Sequence, residues 1–264
     1  MTELCFNAFN RSAWFEVDPL LPEQIRAAGA AGFPLFGPDV FSITAHVEQG
    51  GSVEQLADEL EESGVRCYEI AALMIGNDDV DAQAEQIASY AAVLRPEWVL
   101  TNVMAPVDDN VRDEFARCAA VLADVGARLA VEYLPWTPVP SAATAYDLVA
   151  SVPDAGAGVL PDVWHHFRGP DTWAELDALP LDAIAYVQFS DALPMTSDDI
   201  VDETVSRRVF PGDGEFDLDT YCEHIRAKGF DGVVSIEVLN ATMRDMDPGE
   251  FTRRAFAAAD RYWG

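Results

Sequence analysis

The chain predicts an α/β protein folded as a single closed (β/α)8 barrel, and three features predict it. Short apolar, β-branched or aromatic runs alternate with longer stretches of helical periodicity, the pattern of parallel strands joined by crossover helices. Eight strand candidates can be placed, and a length of 264 residues suits one such barrel. No glycine-rich phosphate loop follows the first strand candidate, which disfavours an open doubly wound sheet. Residues 1–264 are therefore expected to form one barrel domain.

The strand candidates centre on residues 4–10, 34–41, 66–73, 98–104, 128–134, 157–161, 183–189 and 232–238. Helical periodicity runs over residues 20–30, 52–63, 80–94, 111–125, 142–151, 172–179, 218–228 and 248–262, so one helix is expected after each strand. Helix ends carry matching signals. Asp217 is placed to cap the helix that continues through Tyr221, Gly229 stands just beyond its end, and Pro248 suits a first helical turn.

Composition narrows the partners. There are 46 acidic and 16 basic residues, a formal net charge of −30, with Lys228 as the sole lysine. Nucleic acid is an unsuitable partner, because phosphate binding rests on Lys and Arg. The acids fall at helix-surface spacing, as in Glu54, Asp58, Glu59, Glu61 and Glu62, which reads as a hydrated surface. No apolar run reaches the roughly 20 residues that a spanning helix requires, so no membrane association is expected. The start, Met1 through Phe6, lacks a basic region followed by an apolar stretch, and a cytoplasmic location is expected. Cys5, Cys67, Cys118 and Cys222 are widely spaced and read as reduced, buried thiols. With four histidines, His46, His165, His166 and His224, any metal must lean on carboxylates.

In a barrel of this kind, functional groups stand at the C-terminal ends of strands and in the loops beyond them. Glu132 and Glu237 each sit inside an apolar run at such an end, where a carboxylate needs a partner or a metal. For either alone a structural hydrogen bond explains the pattern equally well; together they point to a paired-carboxylate site. Asp162 ends the sixth strand candidate with His165 three residues on, and Gln188 lies in the seventh with Asp191 beyond it. A glutamine carbonyl is a neutral oxygen donor acceptable to Mg²⁺ or Mn²⁺, although a structural role fits it too. Trp136 can wall a pocket or simply pack. The stretch from Asp191 to Gly214 is longer than most connections and is a candidate lid or substrate loop.

The ordered set Glu132, Asp162-x-x-His165, Gln188 with Asp191, Arg208-x-x-Pro-Gly-Asp-Gly214 and Glu237 resembles the sugar phosphate isomerase/epimerase superfamily of xylose isomerase-like TIM barrels. The resemblance runs from about Leu129 to Leu239, and earlier strands match in periodicity alone. It implies that Glu132, Asp162, Gln188 and Glu237 ligate one divalent ion, Mn²⁺, Mg²⁺ or Co²⁺, and that Glu132 and Glu237 act as acid and base on a small keto sugar or keto acid. His165, Arg208 and Trp136 would then contact substrate. Epimerases of the family usually carry His where this chain has Gln188, and many relatives read Gly-Phe-x-x-Ile-Glu where this chain reads Gly32-Phe-Pro-Leu-Phe-Gly37. The expected activity is isomerisation or epimerisation of a polyol ketone. The alternatives are dehydration of 3-dehydroshikimate or an inosose, and a non-catalytic metal-binding subunit. Family members are often homo-oligomers.

Overall fold

The computed structural model describes residues 2–264. Two compact units emerge, residues 2–67 together with Gln188–Gly264, and Tyr68–Val187.

The first stretch of chain runs β1 (Glu3–Asn7), α1 (Leu21–Ala31), β2 (Leu35–Gly37), α2 (Val40–Glu48), α3 (Val53–Glu62) and β3 (Arg66–Cys67). The middle stretch runs β4 (Glu69–Ile75), α4 (Val80–Leu94), β5 (Trp98–Val103), α5 (Asp109–Ala123), β6 (Arg128–Glu132), α6 (Ala142–Ser151), β7 (Gly158–Leu160), α7 (Val163–Arg168) and α8 (Trp173–Ala178). The last contains β8 (Val187–Phe189), β9 (Asp191–Ala192), α9 (Ile200–Ser206), β10 (Arg208–Val209), α10 (Leu218–Ala227), β11 (Val233–Ile236) and α11 (Pro248–Trp263). Among the described residues one sheet has the order β3-β2-β1-β11-β8 and another the order β4-β5-β6-β7. The pairings of β1 with β2 and β11, and of β5 with β4 and β6, are all parallel.

In the unit containing both chain ends, β1 and β2 bury Phe6 and Phe36, whose rings stack at 5.9 Å, and Phe33 and Phe251 meet Phe6 edge-on. Helix α3 shows how composition becomes structure: Leu56 and Leu60, four apart, are buried while Glu54, Asp58, Glu61 and Glu62 face solvent. In the middle unit, strands rich in Val and Leu bury both faces, as the coverage of a parallel sheet by helices requires. Phe115 and Leu122 of α5 and Ile87 of α4 are fully buried there. All four cysteines are buried and outside any disulfide, and burial pushes the Cys118 thiol up to about 11 and the Cys222 thiol up to about 12.

Several expectations need correction. The strand candidate 34–41 ends at Gly37, because the Asp39 side chain accepts from the Ser42 backbone N–H and starts α2 at Val40. Two helices, α2 and α3, therefore follow β2. The candidate 66–73 divides at Tyr68, since Arg66 and Cys67 pair with β2 whereas Glu69 onward pairs with β5. Val163–Arg168 is a helix that the site-like composition of that segment obscured, and α9 lies inside the long acidic loop. No helix among the described residues is long and apolar enough to cross a membrane.

Gly76, just past β4, has φ +92, and a Cβ built there would lie 2.5 Å from the Ala105 Cβ and 2.9 Å from its backbone nitrogen. A side chain is thus opposed by both conformation and space. Gly76→Ala is expected to lower the unfolding free energy by roughly 1–3 kcal/mol, measured by urea denaturation; an unshifted midpoint contradicts this account of the turn.

Candidate metal and acid/base site

In the middle unit the functional groups collect at strand ends. Glu132 is the last residue of β6, and Asp162 follows β7 as the N-cap of α7. The Asp162 Oδ1 accepts from the backbone N–H groups of Trp164 and His165, so the helix N-terminus both holds and stabilises that carboxylate. Its Oδ2 lies 4.0 Å from His165 Nε2. Glu132 divides its oxygens in the same manner: Oε2 accepts from Asn102 Nδ2 at 2.8 Å, and Oε1 lies 3.3 Å from His165 Nε2. Glu132, Asp162 and His165 each offer one ligand atom, all within 4.8 Å of one another, and all three side chains are buried.

Trp136 is half-buried with its ring edge-on to His165 at 5.4 Å, and Trp164 packs on the same histidine at 5.3 Å. His166 packs against Trp173 instead, with ring centroids 4.5 Å apart and the rings tilted. Deeper in this unit, the Tyr186 hydroxyl donates to the buried Glu69 carboxylate. Burial first, then the Glu69 charge, pushes that phenol well above its ordinary value, so Tyr186 keeps its proton as a donor.

The other unit assembles a second polar cluster. Glu237 lies one residue past β11, and its Oε1 accepts from Asn7 Nδ2 at 3.2 Å and from Gln188 Nε2 at 3.2 Å. Its Oε2 lies 3.2 Å from Arg208 Nη1. Gln188 is fully buried, and its carbonyl Oε1 accepts no hydrogen bond. Arg208 is 1% exposed; Nε donates to the Thr204 carbonyl at 3.1 Å and Nη2 to the Thr204 hydroxyl at 2.9 Å. Asp191, 1% exposed, organises the loop beyond β8: its carboxylate accepts from the backbone N–H groups of Ala192, Gly212, Gly214 and Phe216.

Of the residues expected from sequence, Glu132, Asp162, His165 and Trp136 come together in one unit, and Gln188, Arg208 and Glu237 come together in the other. Asn7, Asn102 and Thr204 were missed. Asn7 ends β1 and Asn102 lies next to the end of β5, so each carries the signal that revealed Glu132, a polar residue in an apolar run at a strand's C-terminal end. Thr204 had no such signal, because its role depends on where Arg208 points.

The donors suit a hard or borderline divalent cation. Two carboxylates and an imidazole converge in one unit, and in the other a buried amide oxygen lacks a hydrogen-bond donor while a carboxylate stands beside it.

Comparison with known proteins adds the following. The family model described as "Xylose isomerase-like TIM barrel" matches residues 22–260. The chain is 32% identical over 133 residues to a 3-dehydroshikimate dehydratase of Pseudomonas aeruginosa, covering 50% of this chain and 21% of that one. It is 22% identical over 190 residues to an inosose isomerase of Halalkalibacterium halodurans, covering 68% and 66%. The chain thus spans about a fifth of the length of the dehydratase relative. Among solved structures, an IOLI protein with a bound zinc atom matches with a TM-score of 0.85 at 18% identity over 99% of this chain and 98% of that one. An L-ribulose 3-epimerase matches with a TM-score of 0.75 at 16% identity over 100% and 95%. These likenesses show the fold, the TIM barrel that the alternation of strands and helices predicted.

Asp162→Asn keeps a competent helix cap but removes the charge. It is expected to leave thermal unfolding nearly unchanged and to weaken Mn²⁺ binding at least about 100-fold, beyond the tenfold to hundredfold that loss of a supporting group costs, as read by equilibrium dialysis. Unaltered Mn²⁺ affinity would remove Asp162 from the candidate site.

Proposed function

Because the chain belongs to the family of xylose isomerase-like TIM barrels, we propose that it is a divalent-metal-dependent isomerase or epimerase of a small, uncharged keto sugar or polyol ketone. The observation that carries the reading is the pair of buried carboxylates, Glu132 and Asp162, whose oxygens come within 4.8 Å of each other at the ends of β6 and β7 beside His165. Residues 1–264 are taken as one catalytic domain.

In this reading Glu132, Asp162, Gln188 and Glu237 hold the ion, as the family resemblance implies. When bound, a divalent ion supplies Lewis-acid stabilisation of negative charge developing on a substrate carbonyl. Glu132 and Glu237 are the acid/base pair: one takes the proton from the carbon beside the carbonyl, and the other delivers a proton to the opposite face. Asn102 and Asn7 keep these carboxylates in fixed rotamers, so little reorganisation is needed when a proton moves. His165 and Trp136 position the substrate, the imidazole by hydrogen bonding and the indole as an apolar wall. Two features favour an uncharged substrate. Arg208, the cation expected to meet a carboxylate or phosphate, already engages Glu237 and Thr204. The net charge of −30 also repels anions during approach.

A second reading, dehydration of a keto acid or inosose by the same proton abstraction followed by loss of a β-hydroxyl, is favoured by Gln188 and by the 32% identity to a 3-dehydroshikimate dehydratase. Incubation of Mn²⁺-loaded protein in D₂O with D-fructose, D-tagatose, an inosose and 3-dehydroshikimate separates the two. The proposal expects deuterium at the epimerised or isomerised carbon of a ketose or inosose, with Glu132→Gln and Glu237→Gln each slowing exchange by roughly 10²–10⁴-fold. Water loss in place of exchange supports dehydration, and no reaction with any of the four overturns both readings.

A further inference from the structure

The long acidic loop is built in a way that the reading above leaves unused. Its helix α9 is anchored by Glu203, 2% exposed, whose carboxylate accepts from the Thr196 N–H, the Thr196 hydroxyl and the Ser197 N–H, and which pairs with Arg207 at 2.9 Å. One turn of chain carries both Glu203 and Thr204, and Thr204 is 3% exposed with its polar atoms turned to Arg208. The Thr204 hydroxyl accepts from Arg208 Nη2 at 2.9 Å and from Nε at 3.3 Å, and its carbonyl accepts from Nε at 3.1 Å. The Asn240 side chain holds the other end of the arginine by donating to its backbone carbonyl at 2.8 Å.

We infer that Thr204 is a positioning residue for Glu237, acting through Arg208: its hydroxyl occupies Nη2 and so sets the rotation of the guanidinium that presents Nη1 to Glu237 Oε2. The physical reason lies in the shape of the donor. A guanidinium carries its donors in one rigid plane, so holding Nη2 and Nε fixes the direction in which Nη1 points. With Nη2 and Nε on Thr204, Nη1 is aimed at Glu237 Oε2. The loop segment thereby reaches the acid/base carboxylate through two buried side chains, which gives the long connection a reason to be ordered.

This inference rests on the reading of Glu237 as a functional carboxylate, and the test separates the two. Thr204→Val keeps the volume and β-branching and removes only the hydroxyl; Thr204→Ser restores it. Three readouts are taken on the full chain: ¹⁵N-resolved Arg208 Nη protons, identified by their loss in Arg208→Lys; Mn²⁺ dissociation constant by electron paramagnetic resonance; and steady-state C–H exchange in D₂O with the ketone that the wild type turns over. In Thr204→Val the Arg208 Nη2 signals are expected to shift and broaden as their acceptor is lost, Mn²⁺ to bind at least fivefold more weakly, and kcat to fall at least tenfold with KM within twofold. Thr204→Ser is expected to recover all three. Wild-type Mn²⁺ affinity and kcat in Thr204→Val overturn the inference whatever happens to its melting temperature, since a merely structural hydroxyl would move only that. A wild-type protein that binds no Mn²⁺ and exchanges no ketone proton overturns the metal-enzyme reading instead. The Arg208 signals need neither metal nor substrate, and their persistence in Thr204→Val then overturns the inference by itself.

Discussion

Negative charge buried at strand ends constrains everything else in this chain. Glu132, Asp162 and Glu237 are all under 9% exposed, and taking an ionised carboxylate out of water costs several kcal/mol unless compensation is close. The compensation differs between them. Glu237 has an arginine and two side-chain amides, Asp162 has the N-terminus of α7, and Glu132 has one amide and an imidazole shared with Asp162. Burying these carboxylates costs stability that a core of Val, Leu and Phe would not cost, and the proposed metal chemistry supplies a reason for them.

The surrounding structure supplies rigidity to those groups. Parallel strands deliver side chains to one end with defined spacing, and helices begin immediately after, so their free N–H groups are available to anions such as Asp162. Where no helix begins at once, a buried carboxylate organises the backbone in its place. Asp191 gathers four backbone N–H groups from residues 192–216, and Glu203 does likewise for the tip of the same loop. The acidic composition is thus of two kinds: exposed acids of the sort seen on α3, which set solubility, and a few buried ones that act as acceptors inside the fold.

Much of this was legible from the amino-acid order, and the exceptions share a cause. Helices α4 and α6 have the bounds that periodicity gives, because their apolar faces repeat cleanly over 15 and 10 residues. Glu132, Asp162 and Glu237 stood out because a carboxylate inside an apolar run is costly. Asn7 and Asn102 occupy equivalent positions, but an amide is far cheaper to bury, so the same signal is weaker there. Helix α2 was hidden because the apolar run 34–41 continues through its start, and the boundary is set by Asp39, whose carboxylate accepts from the local Ser42 N–H and from the hydroxyl of the distant Ser12. The break at Tyr68 was equally invisible, because which neighbour a strand pairs with is a tertiary fact.

The proposed function assigns one divalent ion to Glu132, Asp162, Gln188 and Glu237, as the family resemblance implies. Crystals soaked in Mn²⁺ and measured on both sides of the manganese absorption edge test it most directly. The account predicts one anomalous peak within about 2.0–2.6 Å of an oxygen from each of the four residues, the range for hard-cation oxygen ligands. A peak coordinated by Glu132, Asp162 and the His165 Nε2 with Gln188 and Glu237 remote, or no peak at any of these side chains, would contradict it.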